Sequence, residues 1–328
     1  MKRPNLIIAL ALATLTPTCW AAPKSFADNP EVVAFAREME EKHQFDSQVL
    51  LKQFAQLKVN ASVLKAVEPP SSPLQRSWER YRPRFVNEVR IENGVQFWQT
   101  YQDTIARASA EYGVPPEIIV AIIGVETIYG RNTGGFSVFE ALSTLAFHYP
   151  RRAEFFRTEL EQFLLLTREN KLPTLTVKGS YAGAIGIPQF MPGSQRRYAV
   201  DFNGDGRIDL ASVDDAIGSV ARFLERHGWI PGAPVAVPAN LAGEPDKAWI
   251  EAGIRPTLKV SELSELGVLS EAPAEETVTL VDLVTPGKTT EYWLGFENFY
   301  VITRYNRSSF YAMSVFQLAQ AIKQRAGR

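Results

Sequence analysis

The feature that most constrains the fold is an apolar run between residues 116 and 129, "PEIIVAIIGVETIY". Pro115 and Pro116 favour a helix start, and Gly130 favours a helix end. A helix that is apolar on nearly every side must be buried on nearly every side. The rest of the chain therefore has to supply a core that encloses it. Its apolar residues are Ile118, Ile119, Val120, Ile122, Ile123 and Val125.

One carboxylate, Glu126, stands near the end of this buried helix. Burial disfavours the ionised carboxylate, and so does the negative end of the helix dipole. Both effects raise the pKa above its reference value of about 4.3. A carboxyl group that is still protonated near neutral pH can act as a general acid, so Glu126 is the candidate catalyst. The alternative is a structural Glu paired with Arg131, Arg151 or Arg152.

The amino-terminal residues 1–22 have the layout of a secretory signal peptide. Lys2 and Arg3 precede an apolar run at 6–15 that is too short to span a bilayer, and small residues follow near Ala22. The chain's single cysteine, Cys19, lies in this segment, so the mature protein needs no disulfide. We expect simple cleavage after export, with lipidation of Cys19 as the alternative.

The rest of the 328-residue chain reads as mainly α, in an α+β fold. The net charge of -1 argues against a nucleic-acid partner. The three histidines lack metal-ligand spacing, and no nucleophile elbow or phosphate loop is present, so no organic cofactor is expected. The expected organisation is an α-helical lobe (23–110, entering the core near Tyr81), a catalytic core (111–230), a small β lobe (231–290) and a carboxyl-terminal segment returning to the core (291–328).

Local patterns place the individual elements. Amphipathic patterns predict short helices within 30–68, the apolar run predicts the helix at 116–129, and helical patterns predict further helices at about 93–112, 213–227 and 309–323. "SVFE" (137–140) resembles a capping box, and Pro150 starts another helix. The aromatic stretch 292–306 resembles a strand.

A loop at 201–215 resembles an EF-hand. Asp201, Asn203 and Asp205 fill its first, third and fifth places, Gly206 allows the sharp turn, and Arg207 can offer its carbonyl oxygen. Asp209 fills the ninth place, but the twelfth is Ser212 instead of Glu. The pattern predicts a structural Ca²⁺ site, and the alternative is a metal-free polar turn.

Four segments together resemble the membrane-bound lytic transglycosylase B family. They are "GVETIYG" (124–130), "GSYAGAIGIPQFMPGS" (179–194), "YAVDFNGDGRIDL" (198–210) followed by "DAIGSVARF", and "ITRYNRSSFYAM" (302–313). The resemblance implies a periplasmic enzyme with a lysozyme-like core, an α lobe and a small β lobe. It would act as a monomer on peptidoglycan glycan strands, with other cell-wall enzymes as further partners. It would cleave the β-1,4 bond between N-acetylmuramic acid and N-acetylglucosamine and leave a 1,6-anhydromuramic acid end.

The same resemblance implies roles for individual residues. Each tyrosine could instead pack in the core, and each arginine could belong to a solvated helical turn. Asp215 matches a later calcium ligand in a longer loop, although it could instead help to cap a helix. Phe223 occupies a place where the family can carry tyrosine. The implied substrate-binding residues are Ser180 and Gln189 (hydrogen bonds to sugars), Phe190 and Met191 (shape of the cleft), Tyr81, Tyr305, Tyr311 and Asn306 (lining of the saccharide groove), and Arg151 and Arg152 (carboxylates of the peptide stem).

A lytic transglycosylase can work with one carboxylate, because the sugar's own C6 hydroxyl replaces water as the nucleophile. This fits the single acid in the apolar run. One rival is a hydrolytic muramidase on the same fold, which would need a second carboxylate or a held water. The other rival is a non-catalytic peptidoglycan-binding protein, which would have no use for a raised pKa.

Overall fold

The computed structural model describes residues 26–69 and 76–327. The predicted signal peptide and Cys19 lie outside the described residues. Within them the chain forms two compact units that meet in sequence between Lys58 and Val59.

The described residues are mostly helical. Three short 3₁₀ helices cover Phe26–Asp28, Arg82–Arg84 and Pro150–Arg152. The α-helices are α1 (Pro30–His43), α2 (Ser47–Phe54), α3 (Ala61–Val67), α4 (Trp78–Tyr81), α5 (Glu88–Thr100), α6 (Gln102–Tyr112), α7 (Pro116–Thr127), α8 (Val138–His148), α9 (Ala153–Glu169), α10 (Pro192–Tyr198), α11 (Val213–Arg226), α12 (Lys247–Glu251), α13 (Val260–Glu265), α14 (Glu297–Thr303) and α15 (Ser309–Arg325).

In residues 26–69 and 76–327, seven short strands form two antiparallel sheets. The first pairs β1 with β2, and the second has the strand order β4-β6-β7-β3-β5. The second sheet extends to residue 295, beyond the limit of 290 predicted for the β lobe. The strands are β1 (Phe136–Ser137), β2 (Lys178–Gly179), β3 (Ala236–Leu241), β4 (Leu258–Lys259), β5 (Val268–Ser270), β6 (Thr277–Leu283) and β7 (Glu291–Gly295).

The first unit, in its described residues 26–58, is a pair of helices that pack on each other. Asn29 and Asp46 cap α1 and α2 by accepting hydrogen bonds from first-turn N–H groups, as N-cap residues do. Phe35 of α1 and Phe54 of α2 meet edge to face at 6.2 Å between ring centroids. Apolar burial between the two helices therefore holds this small unit together.

The core of the second unit is built around α7. Its residues from 118 to 125 are all buried, and the helix packs against α15, α5, α11 and α6. The predicted central helix is confirmed, although it ends at Thr127. Ile128, Tyr129 and Gly130 all have positive φ, which ends the helix two residues earlier than predicted.

Two other predictions about helices need correction. The predicted helix at 93–112 is two helices, because Tyr101 leaves the helical region at φ −111° and its ring packs on Phe97. The stretch 292–306 is a strand only as far as Gly295, after which α14 continues it. A continuous aromatic and apolar run has no hydrophobic periodicity, so its sequence cannot distinguish a buried strand from a buried helix.

The helix predicted from the capping box is confirmed, but the box itself is incomplete. Ser137 Oγ accepts a hydrogen bond from Glu140 N, whereas the Glu140 carboxylate accepts one from Asn60 Nδ2. In a complete capping box the Glu140 side chain would bind the start of its own helix. Here it connects α8 to Asn60, the N-cap residue of α3.

Strand β6 joins the small sheet to the main core. Val278 and Leu280 belong to the core of the β lobe, whereas Val281 and Leu283 belong to the core around α7. Such a strand buries apolar residues on both faces, which explains why they occur at both odd and even positions of its sequence. Among the described residues no single helix is long and apolar enough to cross a membrane, and α6 with α7 passes that test only as a pair bent by 113°.

Gly218 in α11 marks a close approach within the core. A Cβ atom there would overlap the ring of Phe202, which also carries the Arg107 guanidinium at 3.9 Å from its centroid. We expect Gly218→Ala to lower the free energy of unfolding by about 1–3 kcal/mol through overpacking, although Ala favours a helix over Gly by about 1 kcal/mol. Denaturant titration measures this. Gly243→Ala, which meets no atom within 4 Å, is the control. A more stable Gly218→Ala variant would contradict the packing.

Candidate active site

Glu126 lies on the last turn of α7, between the buried residues Val125 and Thr127, and is itself only partly exposed. Its Oε1 accepts a hydrogen bond of 2.6 Å from the hydroxyl of Tyr311, a buried residue of α15. Within the described residues Glu126 forms no ion pair, so the alternative of a structural Glu–Arg pair is not what the structure contains.

The surroundings of Glu126 keep its carboxyl group protonated into the neutral range. Burial raises the pKa of Glu126 to about 7, and the hydrogen bond from Tyr311 lowers this pKa by less than burial raises it. The shift has the direction expected from the sequence. A general acid is most effective when its pKa is close to the working pH, so the carboxyl group can both donate and recover a proton.

Three tyrosines lie around this acid. The rings of Tyr305 and Tyr311 are stacked at 6.4 Å and 16°. Burial, and then the Glu126 carboxylate, raise the pKa of both tyrosines well above 10. Burial followed by Glu126 also raises the pKa of Tyr81. All three phenols therefore stay neutral and keep their protons at physiological pH.

The glycine-rich loop uses its polar side chains to hold its own backbone. Ser180 Oγ accepts hydrogen bonds from Ala182 N and Ala184 N. Gln189 has a positive φ of 51°, and its Nε2 donates to the carbonyl oxygens of Gly186 and Thr133. A Ser180 O–H donor and the Gln189 Oε1 acceptor remain for a ligand. The implied contacts to sugars therefore remain predictions.

Phe190 is a buried residue of the glycine-rich loop. Its ring packs against Phe223 at 5.4 Å and against Tyr305 at 5.8 Å, while Met191 at the start of α10 is partly exposed. The Tyr305 hydroxyl donates to Pro188 O at 2.5 Å, so its polar atom holds the loop and its ring supplies the aromatic surface. Phe223, which stands where the family can carry tyrosine, contributes ring packing and no hydroxyl.

Thr127 is a site residue that the sequence analysis missed. Its buried Oγ1 donates to Ile187 O at 2.8 Å and accepts from Gly130 N at 3.0 Å. It therefore ties the turn that carries Glu126 to the glycine-rich loop. The signal in the sequence was a second polar residue in the last turn of an otherwise apolar helix.

Arg151, Arg152 and Asn306 are exposed. Arg152 holds its guanidinium 4.3 Å from the ring centroid of Phe155. Among the described contacts, no hydrogen bond joins the side chains of these three residues to Glu126 or its tyrosines. Their implied contacts to substrate remain predictions.

The loop at 201–215 is organised by its own carboxylates. Asp201 accepts hydrogen bonds from the N–H groups of Gly204, Asp205 and Gly206. Fully buried Asp215 accepts from Phe202 N, Asn203 N and Asp209 N, and so closes the loop. In the part of the chain that the structure describes, no three His, Cys, Asp or Glu side chains are grouped as the ligands of a metal ion, and the carboxylates of this loop instead accept hydrogen bonds from its own N–H groups.

Two open grooves lie beside the β6–β7 connection and include none of the predicted site residues. One encloses about 1090 Å³ between β3 and β7, and the other about 730 Å³ between α4, β7 and α15. We identify the site from its acid and not from the volume of these grooves, because neither groove is lined by Glu126 or by the three tyrosines around it.

An acid of raised pKa at the end of a buried helix, in an α-rich core beside a small antiparallel sheet, defines the class of lysozyme-like enzymes that work by general acid catalysis. A family model described as the transglycosylase SLT domain matches residues 27–320. The chain therefore belongs to the SLT family of lytic transglycosylases, enzymes that act on peptidoglycan.

Individual relatives agree with this assignment. The chain is 46% identical over 310 residues to the membrane-bound lytic murein transglycosylase B of Escherichia coli (strain K12), covering 90% of this chain and 84% of that protein. The structure of the soluble lytic transglycosylase SltB1 from Pseudomonas aeruginosa matches with a TM-score of 0.84 and 47% identity, covering 91% of this chain and all of that one. The E. coli lytic transglycosylase Slt35, in complex with calcium, matches with a TM-score of 0.83 and 44% identity, covering 92% and 96%.

A less similar structure contains a bound ligand. The structure of SltB3 from P. aeruginosa in complex with NAG-anhNAM-pentapeptide has a TM-score of 0.78 and 29% identity, covering 92% of this chain and 80% of that one.

The raised pKa of Glu126 predicts how stability depends on pH. Its folded-state value of about 7 exceeds the ordinary 4.5, so the carboxyl group's contribution to stability is present below about pH 4.5 and is lost as pH rises through 7. Glu126→Gln cannot titrate. We therefore expect it to gain stability relative to the wild type over this range, by on the order of 3 kcal/mol. Urea unfolding at pH 4.5 to 8 measures the difference. A pH-independent difference would show that Glu126 is not desolvated.

Proposed function

We propose that this enzyme cleaves the β-1,4 bond between N-acetylmuramic acid and N-acetylglucosamine and closes a 1,6-anhydro ring, with Glu126 as its only catalytic acid and base. Membership of the lytic transglycosylase family supports the reaction. The burial of Glu126 and its raised pKa support the choice of residue.

The observation that carries the proposal is the isolation of Glu126 from other carboxylates. Most hydrolytic glycosidases use two carboxyl groups about 5–9.5 Å apart. Among the described residues, the causes of the shift in the Glu126 pKa are burial and the Tyr311 hydroxyl, and no second carboxylate contributes. A site with one acid favours an internal nucleophile over activated water, so it supports the lytic reaction over the hydrolytic muramidase.

The reaction then takes two steps. Glu126 donates its proton to the glycosidic oxygen as the bond from that oxygen to C1 of the muramic acid breaks. The resulting Glu126 carboxylate takes the proton from the C6 hydroxyl of the same sugar while O6 bonds to C1. The two proton transfers cancel, so the acid is restored and no water is consumed. The attacking hydroxyl belongs to the bound sugar and so has a high effective concentration.

Tyr311 stabilises the Glu126 carboxylate that exists between the two steps. Its hydroxyl donates to Glu126 Oε1, and a hydrogen bond to the ionised form favours that form. Because the phenol stays neutral, it keeps donating across the working pH range. Burial and Tyr311 thus act in opposite directions on the Glu126 pKa, and together they leave it near 7.

Substrate recognition follows the roles implied by the family motifs. Ser180, Gln189 and Asn306 offer polar groups to the sugars, and Met191 and Tyr81 offer partly exposed apolar surface. Arg151 and Arg152 are exposed cations that suit the carboxylates of a peptide stem. The relative that was solved with a pentapeptide-bearing fragment supports a stem contact in this family.

We also propose a structural Ca²⁺ in the loop at 201–215. Its carboxylate, amide and backbone oxygens suit a hard cation. Gly204 and Gly206 adopt the positive φ that lets the loop turn around such a donor set. Asp201, Asn203, Asp205, the Arg207 carbonyl and Asp215 would hold the ion, and a relative solved with calcium supports this. The ion would brace the loop between α10 and α11 and would take no part in the chemistry.

The setting of the enzyme follows from its substrate. Peptidoglycan lies outside the inner membrane, and the relative named as membrane-bound is consistent with the cell envelope. We infer export to the periplasm by the segment 1–22 and action as a monomer on glycan strands and with other cell-wall enzymes. The lipid anchor on Cys19 is the alternative to a soluble form.

The reaction predicts the mass and the reactivity of the products. The wild type should release muropeptides lighter by one water than hydrolytic products, with ends that resist borohydride. Glu126→Gln should bind glycan strands but fail to cut them, because an amide can neither give nor recover the proton. Mass analysis of digested peptidoglycan measures both.

The matched control is Glu117→Gln at the opposite end of the same helix, which should keep full activity. Its side chain is 15% exposed and pairs with Lys323 near the end of α15, whereas Tyr311 lies near the start of that helix. Turnover by Glu126→Gln at the wild-type rate would show that the acid lies elsewhere. Reducible products that contain the added water would identify a hydrolase.

The calcium proposal has a separate test. Ca²⁺ should raise the melting temperature of chelator-treated wild type, because a ligand that binds only the folded state stabilises it. Asp205→Ala should abolish the increase while leaving cleavage intact. A melting temperature that does not respond to Ca²⁺ would refute the metal site and would leave the catalytic proposal unaffected.

A further inference from the structure

The end of the catalytic helix is held in an unfavourable backbone conformation. Ile128, Tyr129 and Gly130 follow Glu126 and Thr127 with φ values of 53°, 59° and 84°. For a residue other than glycine the left-handed region is unfavourable, and a β-branched residue such as Ile128 adopts it rarely. Such strain persists only where the surrounding structure imposes it.

Tyr129 is held in place by close packing against two glycines. Its hydroxyl donates to Arg90 O at 2.8 Å. A Cβ atom at Gly94 in α5 or at Gly124 in α7 would collide with the tyrosine ring or its hydroxyl. The left-handed turn thus places this side chain under α7, where only residues without a side chain leave room for it.

The side chain of Arg90 binds the catalytic helix directly. Its Nε donates to Gly124 O at 3.0 Å, and a terminal guanidinium nitrogen donates to Arg84 O at 2.6 Å. The Gly124 carbonyl lies two residues before Glu126 and also accepts from Ile128 N. One arginine therefore binds the last turn of the catalytic helix and, through its own carbonyl, the tyrosine that follows that turn.

We propose that Arg90, acting with Tyr129, is a positioning residue for the acid: it holds the left-handed end of α7 so that the Glu126 carboxyl stays within hydrogen-bond reach of Tyr311. The proposal rests on Glu126 being the catalyst. Arg90 touches no substrate in this scheme and acts only through the helix that carries the acid.

A second contact connects Arg90 with the wall of the site. Its guanidinium lies 5.5 Å from the ring centroid of Phe85, and the Phe85 ring lies 5.2 Å from that of Tyr81. Tyr81 is one of the tyrosines whose pKa responds to Glu126. Loss of the guanidinium would therefore release both the helix that bears the acid and the packing behind one of its tyrosines.

The test compares Arg90→Met and Arg90→Lys with the wild type on soluble glycan strands. Met keeps the apolar stem and removes both hydrogen bonds, so we expect kcat to fall roughly tenfold to a hundredfold while KM stays within about twofold. A weaker hydrogen bond from Tyr311 would raise the Glu126 pKa, so the alkaline limb of the kcat/KM profile should move to higher pH. Lys can restore one of the two bonds and should lie between the wild type and Met.

Arg325→Met is the matched control, since Arg325 also pairs with α5, through Glu88, but does not reach α7. It should leave kcat and the pH profile unchanged. If Arg90→Met does not fold, Tyr129→Phe keeps the ring and removes only the bond to Arg90 O, and should shift kcat and the alkaline limb in the same direction by less.

A merely structural role for Arg90 would give a different result. A lower melting temperature, with kcat per folded molecule and the alkaline limb both unchanged, would overturn the proposal. That outcome would leave the catalytic assignment intact as long as Glu126→Gln is inactive. Activity in Glu126→Gln would instead remove the basis of both proposals.

Discussion

The site depends on one hydrogen bond, from the Tyr311 hydroxyl to Glu126 Oε1. A carboxyl group buried among apolar residues would hold its proton too firmly to release it to a leaving group. The Tyr311 phenol opposes this effect by stabilising the Glu126 carboxylate, and the Glu126 pKa is about 7 as a result. A change in the distance between α7 and α15 would disturb this balance, so the packing of the two helices is a requirement of the chemistry.

The surrounding segments keep that distance constant. Thr127 binds α7 to the glycine-rich loop through Ile187 O, and Tyr305, in the turn between α14 and α15, binds the same loop through Pro188 O. The loop's polar side chains are used largely on its own backbone. The groups around the acid are therefore ordered before substrate arrives, which reduces the reorganisation that the reaction itself has to include.

The small sheet also supports the site. Trp78 N donates to Val284 O at the end of β6, and the same short helix α4 carries Tyr81 beside the acid. Arg76 pairs with Asp282 of β6 and also donates to Ser309 Oγ at the start of α15. The β lobe thus contacts both the short helix α4, which carries Tyr81, and the helix α15, which carries Tyr311.

The sequence by itself determined the buried helix, the acid at its end and the direction of the shift in its pKa, because a run that is apolar on all sides can only be enclosed. It also determined, by motif, the family to which the chain belongs. It could not show that Tyr311 donates to Glu126, since the two residues are 185 positions apart and only packing brings them together. Nor could it reveal Thr127, the left-handed turn at Ile128, or the use of Ser180 and Gln189 within their own loop. These depend on which backbone groups lie near each side chain, and the tertiary structure alone decides that.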